Sequence, residues 1–344
     1  MDLAEFTTFG IGGPAGQFVE ATTTHELIDA VQAADDSGKP LFVLSGGSNV
    51  LVGDDGFPGV VVRVANKGVH ADQAGDELRV AVSAGEAMDD LVAWSVDSGL
   101  AGLEALSGIP GLVGAAPVQN IGAYGAEIAQ VVEAITVWDR RASQTKVLTA
   151  AECGFGYRTS ILKSSRRNAN VTGRYVVLSV LFSLEHSDLS TPIAYTELAN
   201  ALGVELSAKA PLKDVRDAVL ELRRSKGMVV DPADPDSHSA GSFFTNPLLT
   251  AQDAQRLPLS APRYPQPDGH VKTSAAWLIE HAGFTKGYGD GPAKLSSKHV
   301  LALTNQGGAA ASDVVALARE VRAGVRTKFG ITLEPEPVLV GVKL

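Results

Sequence analysis

Ser242 is the side chain whose surroundings most suggest chemistry. It lies in residues 241–247, GSFFTNP, and its two neighbouring phenylalanines are notable in a chain that is only 6% aromatic. The two rings would shield the hydroxyl from water, and the flanking Gly241 and Pro247 favour a fixed loop over a helix. The sequence leaves two interpretations open: a proton donor, or a loop hydroxyl that bonds the backbone.

Arg158 and Glu336 are the other two candidates for chemistry. Arg158 lies in residues 155–160, FGYRTS, and its planar fork of donors could hold a carboxylate through two hydrogen bonds. Its alternative role is a surface ion pair. Glu336 lies between two prolines that restrict its backbone, and its alternative is a solvated carboxylate near the chain end.

Glycine-rich, uncharged segments must position these side chains. Residues 108–125 interleave glycine and proline with apolar residues and carry no charge, whereas a solvent linker would be polar. Such a segment indicates backbone packed close to a ligand or, alternatively, to another backbone. Residues 45–49, SGGSN, form a second glycine loop that follows an apolar strand.

Composition excludes several classes of protein. The net charge of −10 over 344 residues argues against a nucleic-acid-binding surface. The pair Arg223-Arg224 is interpreted as a solvated face, although an anionic substrate could use it. The single Cys153 excludes an intrachain disulfide or a cysteine zinc site, and the histidine spacing predicts no metal. We expect a soluble, cytoplasmic protein without a signal peptide or membrane span.

Several catalytic motifs match only in part. Residues 10–15 resemble a dinucleotide fingerprint but follow no convincing strand, and Pro14 interrupts the expected helix. Residues 160–163, SILK, match the S-x-x-K motif of penicillin-binding proteins, but its companion motifs are missing. No Walker A loop is present, which leaves glycine loops suited to a phosphate or cofactor.

Apolar periodicity predicts an α+β chain. Helices are expected at residues 24–38, 86–98, 212–226, 274–281 and 312–329, the last with Ser312 as its N-cap. Strands are expected at residues 41–44, 50–52, 60–64, 78–82, 131–137, 146–148, 175–184 and 338–340.

Taken together, these segments resemble the UDP-N-acetylenolpyruvoylglucosamine reductase family (MurB), flavoenzymes of bacterial cell-wall synthesis. The likeness runs over nearly the whole chain, in the family's order. It is carried by residues 8–13 (TFGIGG), 44–51 (LSGGSNVL), 109–125, 155–160, 241–247 and 333–336 (LEPE).

The resemblance implies a two-subdomain FAD-binding module of the vanillyl-alcohol-oxidase (PCMH) type plus an α/β substrate-binding domain. The implied boundaries are 1–186 for the FAD module, divided at about residue 65, then 187–330 for the substrate domain and 331–344 for a C-terminal segment with the catalytic glutamate.

The resemblance also implies the reaction. NADPH reduces FAD, and the flavin then passes a hydride to C3 of UDP-N-acetylglucosamine enolpyruvate. Arg158 and a protonated Glu336 would stabilise the enolate-like charge, and Ser242 would protonate C2.

The remaining site residues are implied in the same way. Those expected around FAD are Ser45, Gly46, Gly47, Ser48, Asn49, Gly111, Gly114, Ala115, Gln119, Asn120, Gly122 and Ala123. Those expected to contact the substrate or order the site are Tyr124, Tyr195, Lys226, Asn246, Tyr264, Lys272 and His299.

Two of these residues bear on the subfamily. Tyr195 matches the tyrosine loop of the longer subfamily, whereas His299 departs from a glutamine of some members. Two other hypotheses are a flavin oxidase of the same fold superfamily and a sugar-nucleotide-binding module without catalysis. We expect a monomer.

Overall fold

The computed structural model describes residues 1–75, 77–166 and 170–344, which divide into two compact units. The larger unit comprises residues 15–47 and 58–225, and the smaller comprises residues 1–14, 48–57 and 226–344. The smaller unit is therefore assembled from three separate stretches of the chain. The domain boundaries expected from the family resemblance stay a prediction.

The larger unit contains two main sheets. A three-stranded sheet has the order Ala15–Ala21, Phe57–Val64, Leu41–Leu44, and its last two strands run parallel. An antiparallel sheet has the order Gln144–Thr149, Val132–Asp139, Tyr175–His186, Glu77–Ser83, Val69–Ala74, and Leu100–Ala101 pairs with its central strand. Alternating buried positions along Tyr175–His186 place one face of this sheet on the main hydrophobic core.

Helices and short hairpin strands complete the larger unit. The α-helices are Thr24–Asp36, Met88–Asp97, Ala150–Cys153, Ile161–Ser164, Thr196–Leu202 and Leu212–Ser225. Short 3₁₀ helices lie at Glu104–Leu106, Val113–Val118 and Ile128–Gln130, and Gly122–Ala123 pairs with Ala126–Glu127.

The smaller unit is built on three small sheets. One is the parallel pair Val50–Val52 and Val338–Val340, and the others have the orders Ser239–Ser242, Ala302–Asn305, Ala293–Leu295 and Leu248–Leu249, Val271–Lys272, Tyr264–Pro265. Its helices are Leu3–Phe6, Pro235–Ser237, Ala251–Gln255, Ala275–His281 and Ala311–Phe329. The helix Ala311–Phe329 packs Val314, Leu317, Ala318 and Val321 into the core of this unit.

The start of this last helix differs from the expectation. Its N-cap is Ala310 rather than Ser312. The Asp54 carboxylate accepts hydrogen bonds from the N–H groups of Ala311 at 2.6 Å and Ser312 at 3.1 Å. Although burial alone raises the pKa of Asp54, these hydrogen bonds lower it. A residue distant in sequence therefore takes over the capping role.

No helix within these described residues is long and apolar enough to cross a membrane. The same residues contain no group of three or more histidine, cysteine, aspartate or glutamate side chains that could hold a metal ion.

Candidate active site

Backbone hydrogen bonds in the smaller unit bring Ser242 and Glu336 together. Ser242 ends the strand Ser239–Ser242, and Phe243 N–H then donates to Leu301 O at 2.7 Å. Glu336 N–H donates to Phe243 O at 2.9 Å. Since Phe243 directly follows Ser242, the main chain fixes the hydroxyl-bearing and carboxylate-bearing residues beside each other.

The two phenylalanines anchor this arrangement in the core. Phe243 is 0% exposed and Phe244 is 1% exposed, and their rings meet edge to face at 5.1 Å. Ser242 itself is half-buried. The expected shielding of the hydroxyl is therefore partial, and the principal role of the rings is to hold the segment in place.

The Ser48-Asn49 loop lies against Glu336. Val338 N–H donates to Asn49 O at 2.9 Å, and Asn49 Nδ2 donates to Glu336 O at 3.5 Å. The parallel strands Val50–Val52 and Val338–Val340 continue directly from this contact. Hydrogen bonds of Asn49 thus join the expected cofactor-binding loop to the segment that carries the expected catalytic glutamate.

Three expected substrate residues also cluster in the smaller unit. Lys272 pairs with Leu248 on one side and with Tyr264 on the other. Asn246 lies two residues before Leu248, and its Oδ1 accepts a hydrogen bond from Ala275 N–H at 2.9 Å. The small sheet therefore gathers Asn246, Tyr264 and Lys272.

His299 lies on a loop that a buried carboxylate holds. Asp236 is 6% exposed and accepts hydrogen bonds from Ser297 N–H at 2.9 Å and Ser297 Oγ at 2.5 Å. Burial alone raises the pKa of Asp236, but the hydrogen bonds from Ser297 lower it. Lys226, also in the smaller unit, is the residue directly after the helix Leu212–Ser225.

Arg158 belongs to the larger unit and has a strained backbone. Gly156 and Thr159 exchange reciprocal backbone hydrogen bonds of 3.1 Å, and Arg158 between them has φ +52°. Its Nη2 donates to Gly122 O at 3.1 Å and its Nη1 to Asn120 O at 3.5 Å. An arginine in the left-handed region is uncommon, and such strain concentrates at functional sites.

Two residues of the segment 120–124, which receives the Arg158 guanidinium, share this unusual backbone. Asn120 has φ +49° and Tyr124 has φ +48°. The buried Asn120 side chain donates to Glu127 Oε2 at 2.7 Å and to Gly156 O at 3.2 Å, and it accepts from Ala129 N–H at 3.1 Å. The amide therefore ties residues 120–129 to the turn that carries Arg158.

Tyr124 packs edge to face on Tyr195, with ring centroids 5.6 Å apart. Burial raises the pKa of Tyr124 to about 12, so its phenol stays neutral and can donate a hydrogen bond. Tyr195 is exposed at the N-cap of the helix Thr196–Leu202. The larger unit thus gathers Arg158, Asn120, Tyr124 and Tyr195, while Ser242 and Glu336 belong to the smaller unit.

The glycine loops of the larger unit fit the edge of a bound cofactor. The Ser45 Oγ atom is buried yet has no hydrogen-bond partner among the described residues, which leaves a place for a ligand group. A Cβ on Gly46 would lie only 2.6 Å from Gly111 Cα, so position 46 requires glycine for this close backbone contact. Gly47 has φ +61°.

Other expected FAD residues are engaged within the protein. Gly114 N–H donates to Ala84 O at 2.9 Å, and Ala115 N–H donates to Leu112 O at 3.0 Å. Gln119 follows the 3₁₀ helix Val113–Val118 as its C-cap. These contacts support the interpretation of close backbone packing for this part of residues 108–125, and contact of the segment with a ligand stays a prediction.

Arg223 is a buried cation that the sequence interpretation missed. It is 9% exposed, and burial lowers the pKa of its guanidinium, whereas the nearby Tyr124 and Asp89 act in the opposite direction. Val215, Val219 and Arg223 follow one another at helical spacing in the helix Leu212–Ser225. All three therefore lie on its buried face. The helical period could have identified it, and the interpretation as a solvated face was wrong for Arg223, although Arg224 is exposed.

Comparison with known proteins defines the class first. A family profile described as "FAD binding domain" matches residues 15–147. A second profile, "UDP-N-acetylenolpyruvoylglucosamine reductase, C-terminal domain", matches residues 232–340. The chain is therefore a flavoprotein with an FAD-binding domain and a second, family-specific domain.

Full-length relatives then identify the family. The chain is 56% identical to the UDP-N-acetylenolpyruvoylglucosamine reductase of Thermobifida fusca, covering 99% of this chain and 97% of the relative. Identity to the enzyme of the same name from Streptomyces avermitilis is 52%, over 99% and 94% of the two chains. The crystal structure of the Thermus caldophilus enzyme (MurB) matches with a TM-score of 0.66 and 28% identity, over 99% and 97%.

The chain belongs to the UDP-N-acetylenolpyruvoylglucosamine reductase family. The expected family and fold class are confirmed.

Proposed function

We propose that this protein catalyses the NADPH-dependent reduction of UDP-N-acetylglucosamine enolpyruvate to UDP-N-acetylmuramate, a step in the synthesis of peptidoglycan precursors. In a first half-reaction NADPH reduces the enzyme, and in a second the enolpyruvyl group is reduced. The names of the relatives support the overall reaction, and the chemistry of the site residues supports the division of roles below.

The contact between Ser242 and Glu336 segments is the observation that carries the proposal. Hydride addition at C3 leaves negative charge at C2 and in the adjoining carboxylate, which then requires a proton at C2. The hydrogen bond from Glu336 N–H to Phe243 O, at 2.9 Å, holds the backbone next to Ser242 against the backbone of Glu336. We take the Ser242 hydroxyl and the Glu336 carboxyl group as the donors for this charge. In this scheme Ser242 protonates C2. The protonated carboxyl group of Glu336 donates a hydrogen bond to the enolate.

Arg158 supplies the matching cation. The planar guanidinium can hold the substrate carboxylate through two hydrogen bonds, which a point charge cannot do. Its anchoring to the carbonyls of Gly122 and Asn120 supports this role, because a preorganised donor need not reorient as charge develops.

FAD, when bound, accepts a hydride from NADPH and supplies it to C3. Ser45, Gly46 and Gly47 would hold it on the larger unit's glycine loop, where the buried Ser45 hydroxyl lacks a protein partner among the described residues. Gly111, Gly114, Ala115, Gln119, Asn120, Gly122 and Ala123 would form its surroundings, together with Ser48 and Asn49.

The substrate's diphosphate and sugar would contact the remaining residues. Lys226 and Lys272 suit a diphosphate because an ammonium is a compact point charge. Tyr124, as a neutral phenol, can donate to a phosphate or carboxylate oxygen, and Tyr195 would close over the substrate. Asn246, Tyr264 and His299 complete the proposed set. A cytoplasmic monomer stays a prediction.

The proposal can be tested with the purified holoenzyme. The protein should be yellow, and anaerobic NADPH should bleach its flavin absorbance. Addition of the enolpyruvyl sugar nucleotide should then restore the absorbance without oxygen. A protein reoxidised only by dioxygen would favour the flavin oxidase, and a colourless protein that binds no FAD would refute both.

A further inference from the structure

The Ser160–Lys163 stretch holds the backbone of Arg158. It matches S-x-x-K, yet its two polar side chains make bonds that differ from those of a serine–lysine nucleophile. Ser160 Oγ donates to Val118 O at 2.6 Å, and Lys163 Nζ donates to Arg158 O at 2.9 Å. The Ser160 hydroxyl therefore binds the carbonyl of Val118, and the Lys163 ammonium binds the turn that carries Arg158.

Lys163 acts on the strained residue itself. Arg158 has φ +52°, a conformation that an arginine rarely adopts without outside support. A hydrogen bond from an ammonium to the Arg158 carbonyl favours the orientation of the peptide group that this conformation requires. The guanidinium is fixed separately at Gly122 O and Asn120 O, so Arg158 is held at both its backbone and its side chain.

Ser160 ties the same turn to the cofactor segment. It is 1% exposed, caps the helix Ile161–Ser164, and its hydroxyl reaches the last residue of the 3₁₀ helix Val113–Val118. That helix leads directly into residues 119–125, whose carbonyls at 120 and 122 receive the Arg158 guanidinium. Ser160 and Lys163 therefore link the Arg158 turn to the segment that binds its guanidinium.

We propose that Ser160 and Lys163 are positioning residues that act through Arg158: Lys163 maintains its left-handed backbone, and Ser160 fixes the turn against residues 113–118. The proposal rests on the role given to Arg158 in the proposed function. Displacing a guanidinium by about 1 Å can slow a reaction by about 10²-fold.

The test compares the two half-reactions of the holoenzyme by anaerobic stopped flow. In Lys163→Met, reoxidation by the enolpyruvyl sugar nucleotide should slow by about 10²-fold, whereas flavin reduction by NADPH should stay at the wild-type rate. Lys163→Arg, which can still donate to the carbonyl, should recover much of the loss. The matched control is Lys146→Met, which removes a partly exposed lysine paired with Glu152 in the same unit, and it should leave both rates unchanged.

A double-mutant cycle separates positioning from general structural damage. If Lys163 acts through Arg158, adding Lys163→Met to Arg158→Lys should cost far less than it does in the wild-type background. Additive losses, or equal losses in both half-reactions, would overturn the proposal. If Lys163→Met does not fold or does not bind FAD, the same two rates are measured for Ser160→Ala. A ratio of reduction to reoxidation rates equal to that of the wild type would then overturn the proposal.

Different results would refute the proposed function and the positioning role. A wild-type enzyme that the sugar nucleotide cannot reoxidise would refute the proposed function. An active wild-type enzyme with unaltered Lys163→Met and Ser160→Ala variants would refute the positioning role alone.

Discussion

The two groups of proposed catalytic residues are held by different physical means. The smaller unit fixes Ser242 and Glu336 with main-chain hydrogen bonds and with the buried rings of Phe243 and Phe244. In the larger unit the Arg158 guanidinium donates to main-chain carbonyls, and the Lys163 ammonium donates to the carbonyl of Arg158. The backbone of Arg158 is held in the left-handed region.

The two regions should therefore respond differently to substitution. Main-chain bonds survive most side-chain replacements, so the Ser242–Glu336 framework should fail chiefly when its aromatic core is removed. A strained turn held by polar groups should instead lose function when one polar group is replaced, with a smaller effect on stability.

The largest effect is expected on stability, from Phe244→Ala. Removal of a ring that is 1% exposed should lower the free energy of unfolding by about 3–5 kcal/mol. Phe244→Leu, which refills most of the space, is the control and should lose much less. Urea titration of the holoenzyme measures both, and equal stability of the Ala variant and wild type would contradict the anchoring role.

The second effect is on rate, from Arg158→Lys. Loss of a bidentate donor to the developing charge should slow reoxidation by the sugar nucleotide by about 10²–10³-fold, or about 3 kcal/mol. Unfolding should change little, in contrast to Phe244→Ala. Turnover measurements check this, and an unchanged rate would remove Arg158 from the mechanism.

The third effect separates hydrogen bonding from backbone strain at Asn120. Asn120→Ala loses three side-chain hydrogen bonds and should destabilise the protein by about 1–3 kcal/mol. Asn120→Gly loses the same bonds but tolerates φ +49°, so it should be more stable than the Ala variant. If the two variants unfold at the same urea concentration, strain at this position is unimportant.

The smallest effect concerns pH and Asp89, whose carboxylate binds Gly108, the first residue of the segment 108–125. Asp89 accepts hydrogen bonds from Gly108 N–H at 2.6 Å and from Arg216 at 2.7 and 3.0 Å. Burial alone raises its pKa, but these bonds outweigh burial and lower it. A lowered pKa stabilises the folded state above the unfolded pKa of about 3.9, and this stabilisation is lost as pH falls through the folded value.

Asp89→Asn isolates that contribution. At pH 7 the variant should be less stable by about 1 kcal/mol, since the pair is partly screened by solvent. Its loss of stability between pH 5 and pH 3 should be shallower than that of the wild type, as urea titrations at several pH values would show. Parallel pH curves would mean that Asp89 does not contribute.

Local sequence patterns predicted the longer helices and most of the longer strands, because burial and helical period are local properties. They did not predict the strands Ala15–Ala21 and Val69–Ala74 or the helix Thr196–Leu202. The strand Leu41–Leu44 and the helix Leu212–Ser225 have bounds close to those expected. The N-cap at Ser312 failed because Asp54, far away in sequence, accepts the N–H groups at that helix terminus. Buried Arg223 was missed because its charge was given more weight than its place on the helix.

The site was less accessible to sequence reasoning than the fold. The contact of Glu336 with Phe243 joins segments more than ninety residues apart, and no local pattern specifies it. The left-handed conformation of Arg158 is equally hidden, because arginine has no intrinsic preference for it. Only the resemblance to a family connected these residues in advance.

Stopped-flow analysis of Ser242→Ala tests whether this serine is the proton donor. If Ser242 protonates C2, reduction of the flavin by NADPH should stay near the wild-type rate, while reoxidation by the enolpyruvyl sugar nucleotide slows by about 10²–10⁴-fold. Equal losses in both half-reactions, or wild-type reoxidation, would contradict the assignment of Ser242 as the proton donor.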